Sequence, residues 1–238
     1  MGLNYYQIKK KVLQARKLVI QATSIAGSGH PGGSFSMAEI LGCLFFKHLR
    51  YDPKNPMWEE RDKLVLSKGH ASPGLFSNMA VSGYFETSEM QTLRQFGSRL
   101  QGHPDLKCPG VEFCGGSLGI GLSYSIGNAL AAKLDEYFEG REDVEVRKMF
   151  GGLCYMLSSH MCCGIIGETL IARVGPDSYS DCLAKQHVKE MDFTGKAMKG
   201  MVCVSPDGIK QDSELAAWLG FCEKFVKTLP PKKQKDKK

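Results

Sequence analysis

Asp62-Lys-Leu-Val-Leu-Ser-Lys-Gly-His-Ala-Ser72 decides how the first half of this 238-residue chain is read. Lys63-Leu-Val-Leu66 is a short apolar run that stops at a polar, glycine-containing loop, which predicts a buried strand feeding a loop and then a helix. Such a strand belongs in a parallel sheet, with partners on its edges and layers on both faces. No second convincing strand precedes residue 135. Helices are predicted over Asn4–Ala26, where Ile8, Val12, Ala15, Val19 and Ile20 recur near helical spacing, and over Met37–His48, where Ser36 and Glu39 form a capping-box pattern. Further helices are predicted over Ala71–Ser82, Thr87–Phe96 and Leu118–Leu134. In the last of these Gly121, Ser123, Ser125, Gly127, Ala129 and Ala131 permit close packing. This half has the helices of an α/β fold but only one strand of its sheet.

Three loops in that half hold a histidine in glycine-rich backbone: Ser28-Gly-His30-Pro-Gly-Gly33, Ser67-Lys-Gly-His70-Ala-Ser72 and Leu100-Gln-Gly-His103-Pro-Asp105. Glycine lets backbone approach a ligand closely, and imidazole donates to phosphate or moves protons near neutrality. A fourth loop, Gly115-Gly-Ser-Leu-Gly119, opens a helix, where free N–H groups can receive an anion. One Gly-His-Pro alone is more often a turn with a hydrogen-bonded histidine. Three of them beside a glycine-rich helix start argue for a site.

Beyond Asp135–Val146 the pattern changes to short strands, read at Val146–Leu157, Met161–Ile166, Leu170–Val174 and Met198–Val204. A short helix is read at Asp177–Leu183. A longer one at Ser213–Lys227, capped by Ser213, carries Leu215, Trp218, Leu219, Cys222 and Phe225 on one face. Strands in series followed by a packing helix give a compact α+β unit.

A hydrophobic fraction of 42% suits a water-soluble globular protein, and no apolar run approaches the roughly 18 residues of a membrane span. Met1-Gly-Leu-Asn-Tyr-Tyr6 has neither the order of a secretory signal nor a myristoylation pattern. Nine cysteines without a Cys-x-x-Cys pair argue against a disulfide framework and for a reducing cytoplasm. Cys162-Cys163 reads first as buried strand cysteines, with a reactive pair as the alternative. The net charge of +6 owes part of its excess to Pro230-Pro-Lys-Lys-Gln-Lys-Asp-Lys-Lys238, a solvated tail. Specific nucleic-acid recognition is not expected, and neither is a metal at His160, Cys162, Cys163 and His187, which lack ligand spacing.

The quoted loops carry a resemblance. Residues from about 4 to 134 resemble the N-terminal, thiamine-diphosphate-binding region of transketolase, especially the form split between two chains. The matching stretches are Ser28–Ser36, Asp62–Ser72, Phe96–Pro104 and Pro109–Ser123. The resemblance implies that His30 and His103 surround the reacting carbon and handle substrate hydroxyl protons, so they are the candidate catalytic residues. It implies that His70, Gly116 and Leu118 bind the cofactor. The family moves a two-carbon ketol unit between sugar phosphates, a transferase reaction. It also implies a Gly-Asp-Gly loop and a later Asn as ligands of a Mg²⁺ on the diphosphate. Neither follows Leu134, and Pro206-Asp-Gly208 lacks their strand-loop-helix context. With these ligands and the pyrimidine-gripping domain missing, the expectation is a segment truncated at the seam and inactive alone.

Residues from about 138 to 233 resemble the TfoX N-terminal domain family, through Val146–Tyr155, Met161–Ile165, Leu170–Pro176, Met191–Cys203, Ala217-Trp218 and Leu229–Lys232. That family brings a fold but no catalytic residues. The expected division is 1–134 transketolase-like, 135–145 seam, 146–231 TfoX-like and 232–238 lysine-rich tail. The expected class is therefore α/β, an incomplete thiamine-diphosphate-binding fold that is mostly helical, followed by a small α+β domain. Three functional readings follow. The first is a cofactor-binding segment needing a partner, either a complementary transketolase chain or further copies of itself. The second is a TfoX-like regulatory or interaction protein carrying a non-catalytic remnant. The third is a recombined reading frame.

Overall fold

The computed structural model describes residues 3–149, 151–192 and 195–230, so the lysine-rich tail lies outside the described residues. Helix α1 (Tyr5–Ile25) starts at a capping box in which Asn4 Oδ1 accepts from the Gln7 N–H at 3.0 Å and Gln7 Oε1 accepts from the Asn4 N–H at 2.9 Å. Its buried residues Ile8, Val12, Ala15, Val19 and Ala22 recur every three or four positions, so they share one face. Ile20, expected on that face, is 56% exposed. Helices α2 (Pro31–Phe35), α3 (Ala38–Cys43) and α4 (Ser72–Ser82) follow, and α1 packs against α3 and α4. Gly42 on α3 permits the approach, because a Cβ there would strike the Val12 side chain.

Four predicted details of this half are corrected. Ser36 does not cap the helix after it. Its hydroxyl donates to the Gly33 carbonyl at 2.9 Å, and Glu39 pairs with Arg16 at 2.6 Å. The helix expected to His48 is α-helical only to Cys43 and continues as a π turn over Leu44–His48. Thr87–Thr92 is 3₁₀ rather than α. Lys63–Leu66 forms no regular element and joins no ladder, since every strand described lies beyond residue 143. Without a neighbouring strand to pair its N–H and C=O groups, the run cannot form the strand expected of it.

The chain divides into two compact units at Leu122/Ser123, inside helix α5 (Ile120–Tyr137). The second unit holds a six-stranded, wholly antiparallel sheet in the order β1-β2-β3-β4-β6-β5. The strands are β1 (Val144–Met149), β2 (Gly152–Leu157), β3 (His160–Ile166), β4 (Thr169–Arg173), β5 (Val188–Glu190) and β6 (Met201–Val204). The single strand expected over Val146–Leu157 is in fact a hairpin. Gly151, at φ +76°, turns the chain between its two arms. β5 escaped the sequence because Val188-Lys-Glu190 is short and two-thirds charged.

Helices α6 (Gly175–Leu183) and α7 (Asp212–Val226) complete the unit. The N-cap of α7 is Gln211, paired with Glu214 in a capping box, rather than Ser213. One face of the sheet carries the main core, where Tyr155, Leu157, Ile165, Leu170, Val202 and Val204 pack with Leu130, Leu134 and Phe138 from α5 and Trp218, Leu219 and Cys222 from α7. The Tyr155 hydroxyl donates to Asp135 at 2.7 Å and lies 3.1 Å from the Ala131 carbonyl, fixing α5 on the sheet. Among the described residues no helix is long and apolar enough to cross a membrane.

Candidate functional site

His30 is the N-cap residue of α2, whose first residue Pro31 has no N–H to leave unpaired. His70 lies in the 3₁₀ turn Gly69–Ala71 that leads into α4. His103 follows Gly102 in an irregular segment. The fold brings these three loops, 73 positions apart in sequence at the extremes (103 − 30), to one place. The His30 and His70 rings meet edge to face with centroids 5.2 Å apart, and His70 meets His103 in the same way at 4.7 Å.

The surroundings hold that cluster closely. A Cβ on Gly69 would run into the carbonyl oxygen of Gly115, with His103 Cδ2 at 3.4 Å, so the fourth loop rests directly on the His70 turn. Ser34 of α2 accepts from the Gly74 N–H at 3.1 Å, tying the His30 loop to α4. Ser67 accepts from the Gly121 N–H at 3.2 Å, so part of the donor set at the start of α5 already has a partner. Gly116 and Leu118 lie on the exposed part of this loop. Gly116 has nothing within 4 Å of where a Cβ would stand, and Leu118 is 66% exposed. The three histidines are thus brought together, with Gly115 against the His70 turn.

Two buried nitrogens in the cluster, His70 Nδ1 and His103 Nε2, have no hydrogen-bond partner among the described residues. Buried polar atoms are nearly always paired, so these fit an external ligand carrying oxygens. Burial is the main cause that pushes the His103 pKa down, with the neighbouring His70, Arg94 and His30 adding to it. His103 is therefore neutral at pH 7. Because its folded pKa is depressed, its stability contribution is complete above the unfolded value of about 6.5 and is lost as pH falls toward the folded value. The expected result is that His103→Gln flattens the drop in urea midpoint between pH 7.5 and 5.5. Parallel profiles for the two proteins would refute this assignment.

Two cationic residues at the site escaped the sequence reading. Lys68 donates to Ser36 Oγ at 2.7 Å, between the His30 and His70 loops. Arg94 lays its guanidinium on Gly102, 2.9 Å from where a Cβ would stand, and its backbone is in the left-handed region at φ +61°. Its N–H is fixed by the Leu100 carbonyl at 2.8 Å. Lys68 was legible from its place inside the Ser-Lys-Gly-His loop. Arg94 was not, because only the fold returns residue 94 to the loop at 102. Among the described residues no group of three or more His, Cys, Asp and Glu side chains could hold a metal.

Residues 8–169 match the family model for the transketolase thiamine diphosphate binding domain, and residues 136–224 match that for the TfoX N-terminal domain. The two matches overlap over 136–169, which here form the end of α5 and antiparallel strands β1–β3. The chain is 44% identical over 121 residues to a 6-deoxy-6-sulfo-D-fructose transketolase subunit of Clostridium sp., covering 50% of this chain and 44% of that one. It is 39% identical over 121 residues to an apulose-4-phosphate transketolase subunit of Phocaeicola vulgatus, covering 51% and 43%. The transketolase structure from Campylobacter jejuni superposes with a TM-score of 0.54 at 36% identity, over 60% of this chain and 23% of that one. The chain thus spans less than half the length of these relatives. With residues 8–169 matched by that family model, the chain belongs to the transketolase thiamine-diphosphate-binding domain family, and its second half is similar to the TfoX N-terminal domain.

Proposed function

We propose that the chain is the cofactor-holding part of a transketolase that becomes active only with a complementary chain. The observation that supports this best is the pair of unpartnered imidazole nitrogens, His70 Nδ1 and His103 Nε2, in a cluster with His30. In this reading His70, with the backbone of the loop at Gly116 and Leu118, holds thiamine diphosphate. His30 and His103 hold and move protons at the hydroxyls of a sugar phosphate substrate. The neutral state of His103 suits it to accept such a proton. When bound, the cofactor supplies a thiazolium carbanion as nucleophile and electron sink. The imidazoles fit the organic ligand; among the described residues no cluster of three or more His, Cys, Asp and Glu side chains could hold a divalent cation, and in this reading a complementary chain supplies oxygen ligands for it. Two relatives are themselves called transketolase subunits, which fits that requirement. Functionally, the division remains 1–134 for the cofactor, 146–231 for the TfoX-like module, 135–145 between them and 232–238 as tail.

The test is thermal melting with thiamine diphosphate and Mg²⁺, with and without the second chain of a split transketolase. A hundredfold excess over Kd stabilises the binding-competent state by about 2.7 kcal/mol. The expected result is a cofactor-dependent rise in Tm only when both chains are present, with ketol transfer reduced at least about a hundredfold by His30→Ala or His103→Ala. No cofactor response in the mixture would refute the proposal. The alternative, a TfoX-like regulatory protein carrying a non-catalytic remnant, draws on the separate core of the second unit. It predicts that the same mixture stays silent while the second unit folds alone.

A further inference from the structure

Helices α1 and α3 approach closely where Gly42 meets the Val12 side chain, and between them lies a groove of about 310 Å³ that Val12 also lines. Its α1 wall is Tyr5, Ile8, Lys9 and Val12, the i, i+3, i+4 and i+7 positions of one helix face. The facing wall is Glu39 and Cys43 of α3 with Lys47 of the π turn, each four residues from the last. Single π turns within helices are frequent at functional sites. Ile8 and Val12 are buried with Ala38 in a small apolar cluster apart from the larger core of this unit, so the floor of the groove is apolar. Tyr5, Lys9, Cys43 and Lys47 are exposed along its walls. No residue of the histidine loops lines it.

The charges at the rim choose the ligand. Glu39 accepts from Arg16 at 2.6 Å, so the one acid of the groove already has its cation. Among the described residues Lys9 and Lys47 have no ion pair or hydrogen bond. An anionic head therefore finds two free ammonium groups, whereas a cationic one would meet like charges. A sugar phosphate would leave hydroxyls unpaired over Ile8 and Val12, which burial penalises. The volume sits at the lower end of the roughly 300–1,000 Å³ of small-molecule sites, and a partner helix anchored over several turns needs more. We propose that this groove binds a small molecule with an apolar chain ending in one carboxylate, the chemistry of a medium-chain fatty acid. Its chain lies over Ile8 and Val12, and its carboxylate is held by Lys9 and Lys47. This site is independent of the ketol-transfer reading.

The experiment follows alkylation of the full, reduced chain by iodoacetamide, with the rate at each thiol read by peptide mapping. Cys43 lines the groove, whereas Cys114 is equally exposed and does not, so it is the internal control. A ligand covering the thiol protects it by the factor 1 + [L]/Kd. Dodecanoate at ten times its Kd should thus slow modification of Cys43 about tenfold and leave Cys114 unchanged. Dodecyltrimethylammonium at the same concentration should protect neither. The double variant Lys9→Gln with Lys47→Gln, shown by circular dichroism to be folded, should raise the Kd for dodecanoate at least about tenfold. Equal slowing of Cys43 and Cys114, equal protection by the cation, full protection in the double variant, or no protection below the micelle concentration overturns the proposal. Protection of Cys43 that grows with protein concentration in the absence of dodecanoate would assign the groove to a second copy of the chain and overturns it too.

Discussion

A fragment of residues 138–230 will not fold cooperatively, whereas one of residues 119–230 will melt in a single transition. The sequence divides the two domains after residue 134, and this cut follows it. Yet the core of the second unit includes Leu130, Ala131 and Leu134 of α5, each at most 8% exposed. Removing a buried leucine side chain alone costs about 2–5 kcal/mol. Losing two of them with Ala131 and the Asp135 partner of Tyr155 therefore exceeds most of the roughly 5–15 kcal/mol available to a domain of this size. The Tyr155 hydroxyl, otherwise fully buried, would also lose both its acceptors. Gly127 marks how closely α5 lies on the sheet, since a Cβ there would strike the Gly167 carbonyl in the β3–β4 turn. Gly127→Val in the longer fragment should accordingly lower its Tm by roughly 10 °C. Circular dichroism melts of the three fragments decide the matter, and a sharp transition in 138–230 would show that α5 is dispensable.

The same helix shows where the sequence stops being legible. Its periodicity and small residues were plain from Leu118 onward, but nothing in a periodicity says against which unit a face packs. The histidine loops were legible one by one because glycine and proline mark irregular backbone locally. Their convergence is long-range, and only the resemblance to a known family foretold it. Arg94 had no local mark at all, since its role depends on a left-handed turn that brings it back onto Gly102. Lys63–Leu66 gives the converse case. Its composition fits a strand, but a ladder needs a second strand, and none is described beside it. In the second unit the turn at Gly151 was read through as part of one strand over Val146–Leu157, and the bulge at Cys162 is set by the register of the neighbouring strand. Strand identity lies in composition, but register lies in pairing.

Gly69→Ala will unfold or misplace the histidine site, although it adds only one methyl group. That carbon would overlap the backbone carbonyl of Gly115, lie 3.0 Å from its carbon, and press on His103 Cδ2 at 3.4 Å. No rotamer change relieves a collision with backbone, so either the His70 turn or the 115–119 loop must move. Overpacking of this kind costs about 3 kcal/mol or more. For a unit of this size that lowers the melting temperature by on the order of 10 °C. The Cβ also pushes apart His70 and the fourth loop, so the cofactor-dependent stabilisation seen with a complementary chain should vanish with it. Gly116→Ala is the matched control, because a methyl group there meets nothing within 4 Å. It should stay within about 0.5 kcal/mol of the parent in stability, and it loses cofactor affinity only if the loop backbone meets the ligand as proposed. Differential scanning fluorimetry of both variants, with and without thiamine diphosphate and the complementary chain, separates the outcomes. Equal stability of Gly69→Ala and Gly116→Ala would mean that the two loops do not touch, and the proposed site would have to be abandoned.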